Sequence, residues 1–343
     1  MGCGMELRGK LIDLHIHLDG SLSEQCVRDL ADMQGVHIEG NLLEKLQVSE
    51  DCADLNEYLE KFEFPLELLQ TKEALTYSVR ELLKEQYAQG IIYTEVRFAP
   101  QLHMRQGLTQ NQVIEAVLEG RIQGEEITKS VSKNEQRDGI KSGIILCCMR
   151  GDNNQAANEE TVRLAKEFLG KGVVAVDLAG AEALFPTENF CGLFELAREL
   201  KVPFTIHAGE AAGSESIIKA LEYGAKRIGH GIRAAWDDEL IKKLADESIY
   251  LELCPTSNLN TKVVERLADY PIRKLMDAEV KVTINTDNMT VSGTTLLHEF
   301  NLVMEKCGIS EEQIRDILVN SIEATFATED IKNYLREQVV AGE

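Results

Sequence analysis

Apolar and polar positions along the chain follow two rhythms. Short, dense apolar runs recur, and helical spacing fills most of the gaps between them. The first run, 11–20, places Leu11, Ile12, Leu14 and Ile16 in a buried parallel strand that Gly20 ends. Similar runs predict strands over 90–98, 142–149, 173–180, 202–207, 225–231, 249–254 and 280–285. Helical periodicity marks 159–169, 193–200, 214–221 and 237–245 between them. This alternation predicts an α/β fold, a (β/α)8 TIM barrel, as a single domain over residues 1–343 without linkers or low-complexity stretches.

The first gap departs from the rhythm. Between the first two strands the pattern predicts a helical insertion. Ser23 is placed to cap a helix running through Leu30. Leu55, Tyr58, Leu59 and Phe62 share one helical face, and Pro65 closes that segment. A long amphipathic helix follows over 71–87 and ends at Gly90. Insertions of this length often serve as lids, whereas packing against the barrel is the plainer reading of the 55–62 face; both can hold at once.

Composition matters mainly through what it excludes. A formal net charge of −22 disfavours nucleic acid and anionic membrane surfaces as partners, and it suits solubility and a small neutral or cationic substrate. No apolar run reaches membrane-spanning length. The eight cysteines are scattered with no CxxC spacing, which reads as reduced thiols in the cytoplasm. The start at residues 1–4 hints at lipidation, but Glu6 stands where that signal needs Ser or Thr, so it reads as an ordinary beginning.

In such a barrel, chemistry belongs at the C-terminal ends of the strands. His15 and His17 project from one face of the first strand, with Asp19 just beyond. The fifth strand ends in His207-Ala208-Gly209-Glu210, the sixth in Gly229-His230-Gly231, and the eighth in Asn285-Thr286-Asp287-Asn288. Four of the seven histidines therefore gather at strand ends. A catalytic Zn²⁺ takes histidine nitrogens, sometimes a carboxylate, and keeps a position open for water; His15, His17, His207 and Asp287 can supply the ligands. The metal brings the pKa of a bound water to about 7. Glu210 stands near the metal but off it, where a closed apolar pocket can keep it protonated as an acid. His230 can orient or deprotonate the water. Gly180, ending the fourth strand, permits close approach of a substrate.

His-Ile-His-Leu-Asp-Gly (15–20), Asp-Leu-Ala-Gly (177–180), His-Ala-Gly-Glu (207–210), Gly-His-Gly (229–231), Cys-Pro-Thr-Ser-Asn (254–258) and Asn-Thr-Asp (285–287) appear in this order, each at a strand end. Together they resemble the adenosine deaminases of the amidohydrolase superfamily over nearly the whole chain. The resemblance implies one Zn²⁺ per subunit on His15, His17, His207 and Asp287, and a small-molecule purine nucleoside as partner. It implies that Glu210 protonates N1 and that the metal-activated water attacks C6, steered by His230 and Asp287. Ammonia leaves, and adenosine or 2′-deoxyadenosine becomes inosine or deoxyinosine. His17, Asp19, Gly180 and Asn288 fall on the substrate side, with Gly180 at N3 and Asp19 at the ribose 5′-hydroxyl. Many members carry Asp where this chain has Asn288; an amide can still donate to the N7 acceptor.

The other features read as structural. His103 is placed at the pocket rim or in the packing, His37 and His298 on the surface or a helix, and 254–258 as a turn without chemistry. P-loop, His-Glu-X-X-His, Gly-X-Ser-X-Gly and Pro-Cys-X-X-Cys signatures are absent from the sequence. Free adenine or a modified adenine nucleoside is the alternative substrate, and a non-catalytic binding protein on the same scaffold is a remote one. Asp19, shorter than Glu, leaves room for ribose. Retention of all four ligands with Glu210 and His230 argues for an enzyme.

Overall fold

The computed structural model describes residues 7, 9–49, 52–135 and 138–340. The start at residues 1–4, with Cys3, lies outside the described residues. The strands are β1 (Leu11–His17), β2 (Ile91–Phe98), β3 (Lys141–Met149), β4 (Val173–Ala179), β5 (Ile206–Ala208), β6 (Arg227–His230), β7 (Tyr250–Leu253) and β8 (Lys281–Ile284). They pair in parallel as β1-β2-β3-β4 and β5-β6-β7-β8. Two isolated bridges join the halves. Val176 meets Phe204 just before β5, and Ile16 of β1 meets Asp287 just after β8. At the second seam His17 N donates to Asp287 O and Asp287 N to His15 O, both at 2.7 Å. The residue expected to bind metal is thus itself a closing residue of the (β/α)8 barrel.

Several expected boundaries move. The fifth strand was expected over 202–207, but the ladder begins at Ile206, because Pro203 has no N–H to give and only its carbonyl accepts, from Val176 N at 2.9 Å. The sixth stops at His230 because His230 and Gly231 both turn left-handed, at φ 57° and 66°. Pro65 does not close its segment; it sits in the first turn of a helix, Glu63–Leu68, where a missing N–H costs nothing. The expected turn at 254–258 is a helix, Pro255–Asn260, with Pro255 at its first position. Ser23 does cap its helix, Glu24–Gln34, and Thr71, expected inside the next long helix, instead caps it over Lys72–Ala88.

Helices pack an apolar layer around the strands, while the barrel interior is polar. Arg97 donates to Asp177 Oδ2 at 2.9 Å and Glu252 Oε2 at 2.8 Å, and Arg227 donates to Glu252 Oε1 at 2.7 Å and pairs with Glu95. All five side chains are buried. Charges so placed are tolerable only when paired and hydrogen-bonded, and this network meets that condition beneath the barrel mouth.

Candidate active site

Alternation along β1 puts Asp13, His15 and His17 on the interior face. The interior charges aim the rings. His15 Nδ1 lies 2.8 Å from Glu252 Oε2, and His207 Nδ1 lies 2.9 Å from Asp177 Oδ2. A carboxylate at Nδ1 draws the ring proton there and leaves the Nε2 lone pair facing the mouth. Arg97 bridges the two carboxylates, so one guanidinium steadies both rings.

At the mouth the free ends converge. His17 Nε2 lies 3.2 Å from His207 Nε2, and both His15 Nε2 and His17 Nε2 lie 3.4 Å from Asp287 Oδ1. His15 Nε2 is buried and has no hydrogen-bond partner. Burial lowers the His17 and His207 rings, leaving neutral imidazoles. Burial alone would raise the Asp287 carboxyl, but His15, 3.4 Å away, and the neighbouring rings hold it below the usual carboxylate range. Lone pairs and a carboxylate turned toward one another, with an orphaned nitrogen among them, fit a divalent cation. The expected ligands His15, His17, His207 and Asp287 are all in this group.

Glu210 and His230 flank the group. His230 Nε2 lies 3.5 Å from Glu210 Oε2 and 4.0 Å from Asp287 Oδ2. Burial, then the charges of Asp287 and Glu182, push the Glu210 carboxyl well above its ordinary value, so it stays protonated. His230 and Asp287 are both left-handed non-glycine residues, at φ 57° and 60°, a strain of roughly 1–3 kcal/mol each that the surrounding structure must hold.

Two residues here were not expected to matter. Ser257 Oγ donates to Asp287 Oδ2 at 2.6 Å, and Asn258 Nδ2 lies 3.0 Å from His230 Nδ1. Tyr270 O–H donates to Asn258 Oδ1 at 2.9 Å and so turns the amide nitrogen toward the ring. An amide N–H can only donate, so His230 Nδ1 accepts and Nε2 carries the proton. Cys254-Pro255 was the available signal: proline at a helix's first position directly after a strand predicts a helix starting at the mouth.

The mouth opens into a cavity of about 330 Å³ lined by His17, Asp19, Gly180, His207, Glu210, His230, Asp287 and Asn288. Leu55, Tyr58, Leu59 and Phe62 form its roof, so the 55–62 face covers the site and packs on the barrel through Tyr58, whose hydroxyl lies 2.7 Å from Ser292 Oγ. Burial raises the Asp19 carboxyl to about 6. Gly180, at φ 105°, holds a conformation that side chains resist. A Cβ at Gly20 would collide with the Asn288 amide, whose Oδ1 lies against that glycine. His103 is buried with Nδ1 2.8 Å from Leu69 O, a packing role, and His37 and His298 are exposed.

The family model described as adenosine deaminase matches residues 11–342. A curated adenosine deaminase of Haemophilus ducreyi is 46% identical over 332 residues, covering 95% of this chain and 94% of that one. Another, from Clostridium botulinum (strain 657 / Type Ba4), is 40% identical over 333 residues, covering 96% and 97%. Among solved structures, an adenine deaminase from Arthrobacter aurescens matches with a TM-score of 0.85 at 24% identity over 97% of this chain and 98% of that one. The Arabidopsis N6-mAMP deaminase matches with a TM-score of 0.85 at 26% identity over 98% and 100%.

Proposed function

The chain belongs to the adenosine deaminase family and is a hydrolase that deaminates adenosine, and from that premise we propose that it works on one Zn²⁺ held by His15, His17, His207 and Asp287. When bound, the metal supplies a Lewis acid that makes a water nucleophilic at neutral pH. The protein's own groups do the rest. Protonated Glu210 gives its proton to purine N1, which makes C6 electrophilic. His230 donates from Nε2 and holds the attacking oxygen, with Asp287 beside it fixed by Ser257. Water adds at C6, one of its protons passes to N6 and the other returns to Glu210, the C6–N6 bond breaks, ammonia leaves, and inosine remains. Deoxyadenosine gives deoxyinosine by the same route.

Gly180 meets the purine at N3, Asp19 takes the ribose 5′-hydroxyl, and Asn288 offers its amide to N7. His17 lines the same wall. The convergence of three histidine nitrogens and the Asp287 carboxylate with Glu210 on one roofed cavity carries this reading. The chain acts as one domain over residues 1–343, and its substrate is a small purine nucleoside. Cys26, Cys52, Cys147, Cys148, Cys191, Cys254 and Cys307 are free thiols, which suits a reducing cytoplasm. Among the described residues, no helix is long and apolar enough to cross a membrane. An ultraviolet assay of the zinc-loaded protein against adenosine, deoxyadenosine, adenine and AMP tests the proposal. Turnover of the two nucleosides is expected; preference for adenine or AMP would overturn the substrate assignment.

A further inference from the structure

Between β5 and the helix Ser214–Glu222, the segment carrying Glu210 has neither ladder nor helix to hold it. Apart from Gly209 O, which accepts from Arg233 N at 3.1 Å, its backbone is held by side chains. Glu182, in the turn after β4 and 1% exposed, accepts from four successive N–H groups: Gly209 N at 2.7 Å on Oε1, and Glu210 N, Ala211 N and Ala212 N at 3.0, 2.7 and 3.0 Å on Oε2. Ser216 Oγ adds a donor to Oε1 at 2.5 Å. On the carbonyl side, Arg150 donates to His207 O at 2.6 Å and Arg233 to Glu210 O at 2.8 Å. Arg150 also donates to Thr187 Oγ1, which lies 2.7 Å from Ser216 Oγ.

Leaving even one buried N–H unpaired costs about 1–3 kcal/mol, so this segment has one favoured path through space, and that path is drawn by Glu182. Glu182 does not itself line the main cavity. Gly180, two residues earlier, does, so one turn presents a glycine to the substrate wall and a carboxylate to the acid's backbone. We propose that Glu182 is the positioning residue for Glu210: it fixes where the acid's carboxyl stands relative to the purine and contributes to catalysis only through it. The inference rests on the reading of Glu210 as the acid.

Glu182→Gln and Ser216→Ala, each made in the parent and in Glu210→Gln, test it by zinc content, kcat and KM for adenosine. In Glu182→Gln the amide NH₂ must face a donor. Zinc should be retained, KM should stay within about threefold, and kcat should fall by roughly 10–100-fold, a fraction of the 10²–10⁴ typical of a general acid. In the Glu210→Gln background the same change should cost less than about threefold more, because residues acting as one unit are not additive. Ser216→Ala should show a smaller kcat loss that also vanishes there, and it carries the test should Glu182→Gln fail to fold. Losses that multiply in the double variants, or an unchanged kcat in the single ones, would overturn the positioning role. The Glu210→Gln variant alone separates the two readings: if it keeps kcat within a few-fold of the parent, the acid assignment fails independently of Glu182.

Discussion

His15, His207 and His230 crowd one barrel mouth, with ring centroids 4.5–5.3 Å apart, yet they differ in what faces Nδ1. Glu252 and Asp177 face the first two, and an Asn258 amide faces the third. The partner decides which nitrogen is bare at the mouth, and so divides ligands from a donor. The ¹⁵N shifts of the His230 ring should show Nδ1 unprotonated in the parent and protonated in Asn258→Asp, with kcat lowered by about tenfold or more as the Nε2 donor is lost. A protonated Nδ1 in the parent would remove this account of His230. Asn288 is tested through the substrate. A neutral hydrogen bond is worth roughly 0.5–1.5 kcal/mol, so 7-deazaadenosine should have kcat/KM up to about tenfold below adenosine, and Asn288→Ala should narrow the gap. An unchanged gap in Asn288→Ala would show that the amide does not read N7.

At the scale of elements, the strand ends were legible and the closure was not. Dense apolar runs located seven of the eight strands to within about two residues, because buried parallel strands have that composition. The fifth was misjudged because Pro203-Phe204 reads as strand but bonds on one side only. The seam at Asp287 and the Arg97–Arg227 network were invisible, since a buried arginine looks in sequence like an exposed one until its distant partners are known. The helix Pro255–Asn260 is pinned by Glu299, which accepts from Thr256 N at 3.1 Å and pairs with Thr294 Oγ1. Burial lifts the Glu299 carboxyl from 4.5 to about 7. The folded protein therefore holds this proton more tightly than the unfolded chain does. Its contribution to stability is full below 4.5 and is lost as pH rises to about 7, a change of roughly 1–3 kcal/mol. Gln mimics the protonated acid, so the fall in Tm between those pH values should be shallower in Glu299→Gln than in the parent. Parallel Tm–pH curves would show that Glu299 is ionised in the fold.

For the molecule as a whole, the polar interior, the seam and the mouth form one construction. Arg97 ties Asp177 and Glu252 below, these orient His207 and His15, and Asp287 closes the barrel beside both. A cation bound there favours the folded state by mass action, so chelation should lower Tm and zinc should restore it. The most direct measurement is a titration of Zn²⁺ into chelated protein, following adenosine turnover and bound metal together in the parent and in His17→Ala. Activity in the parent should rise in proportion to bound zinc and stop at one ion per chain, while His17→Ala should neither hold the metal tightly nor deaminate. Undiminished turnover in the chelated parent, or full zinc occupancy in His17→Ala, would contradict the account.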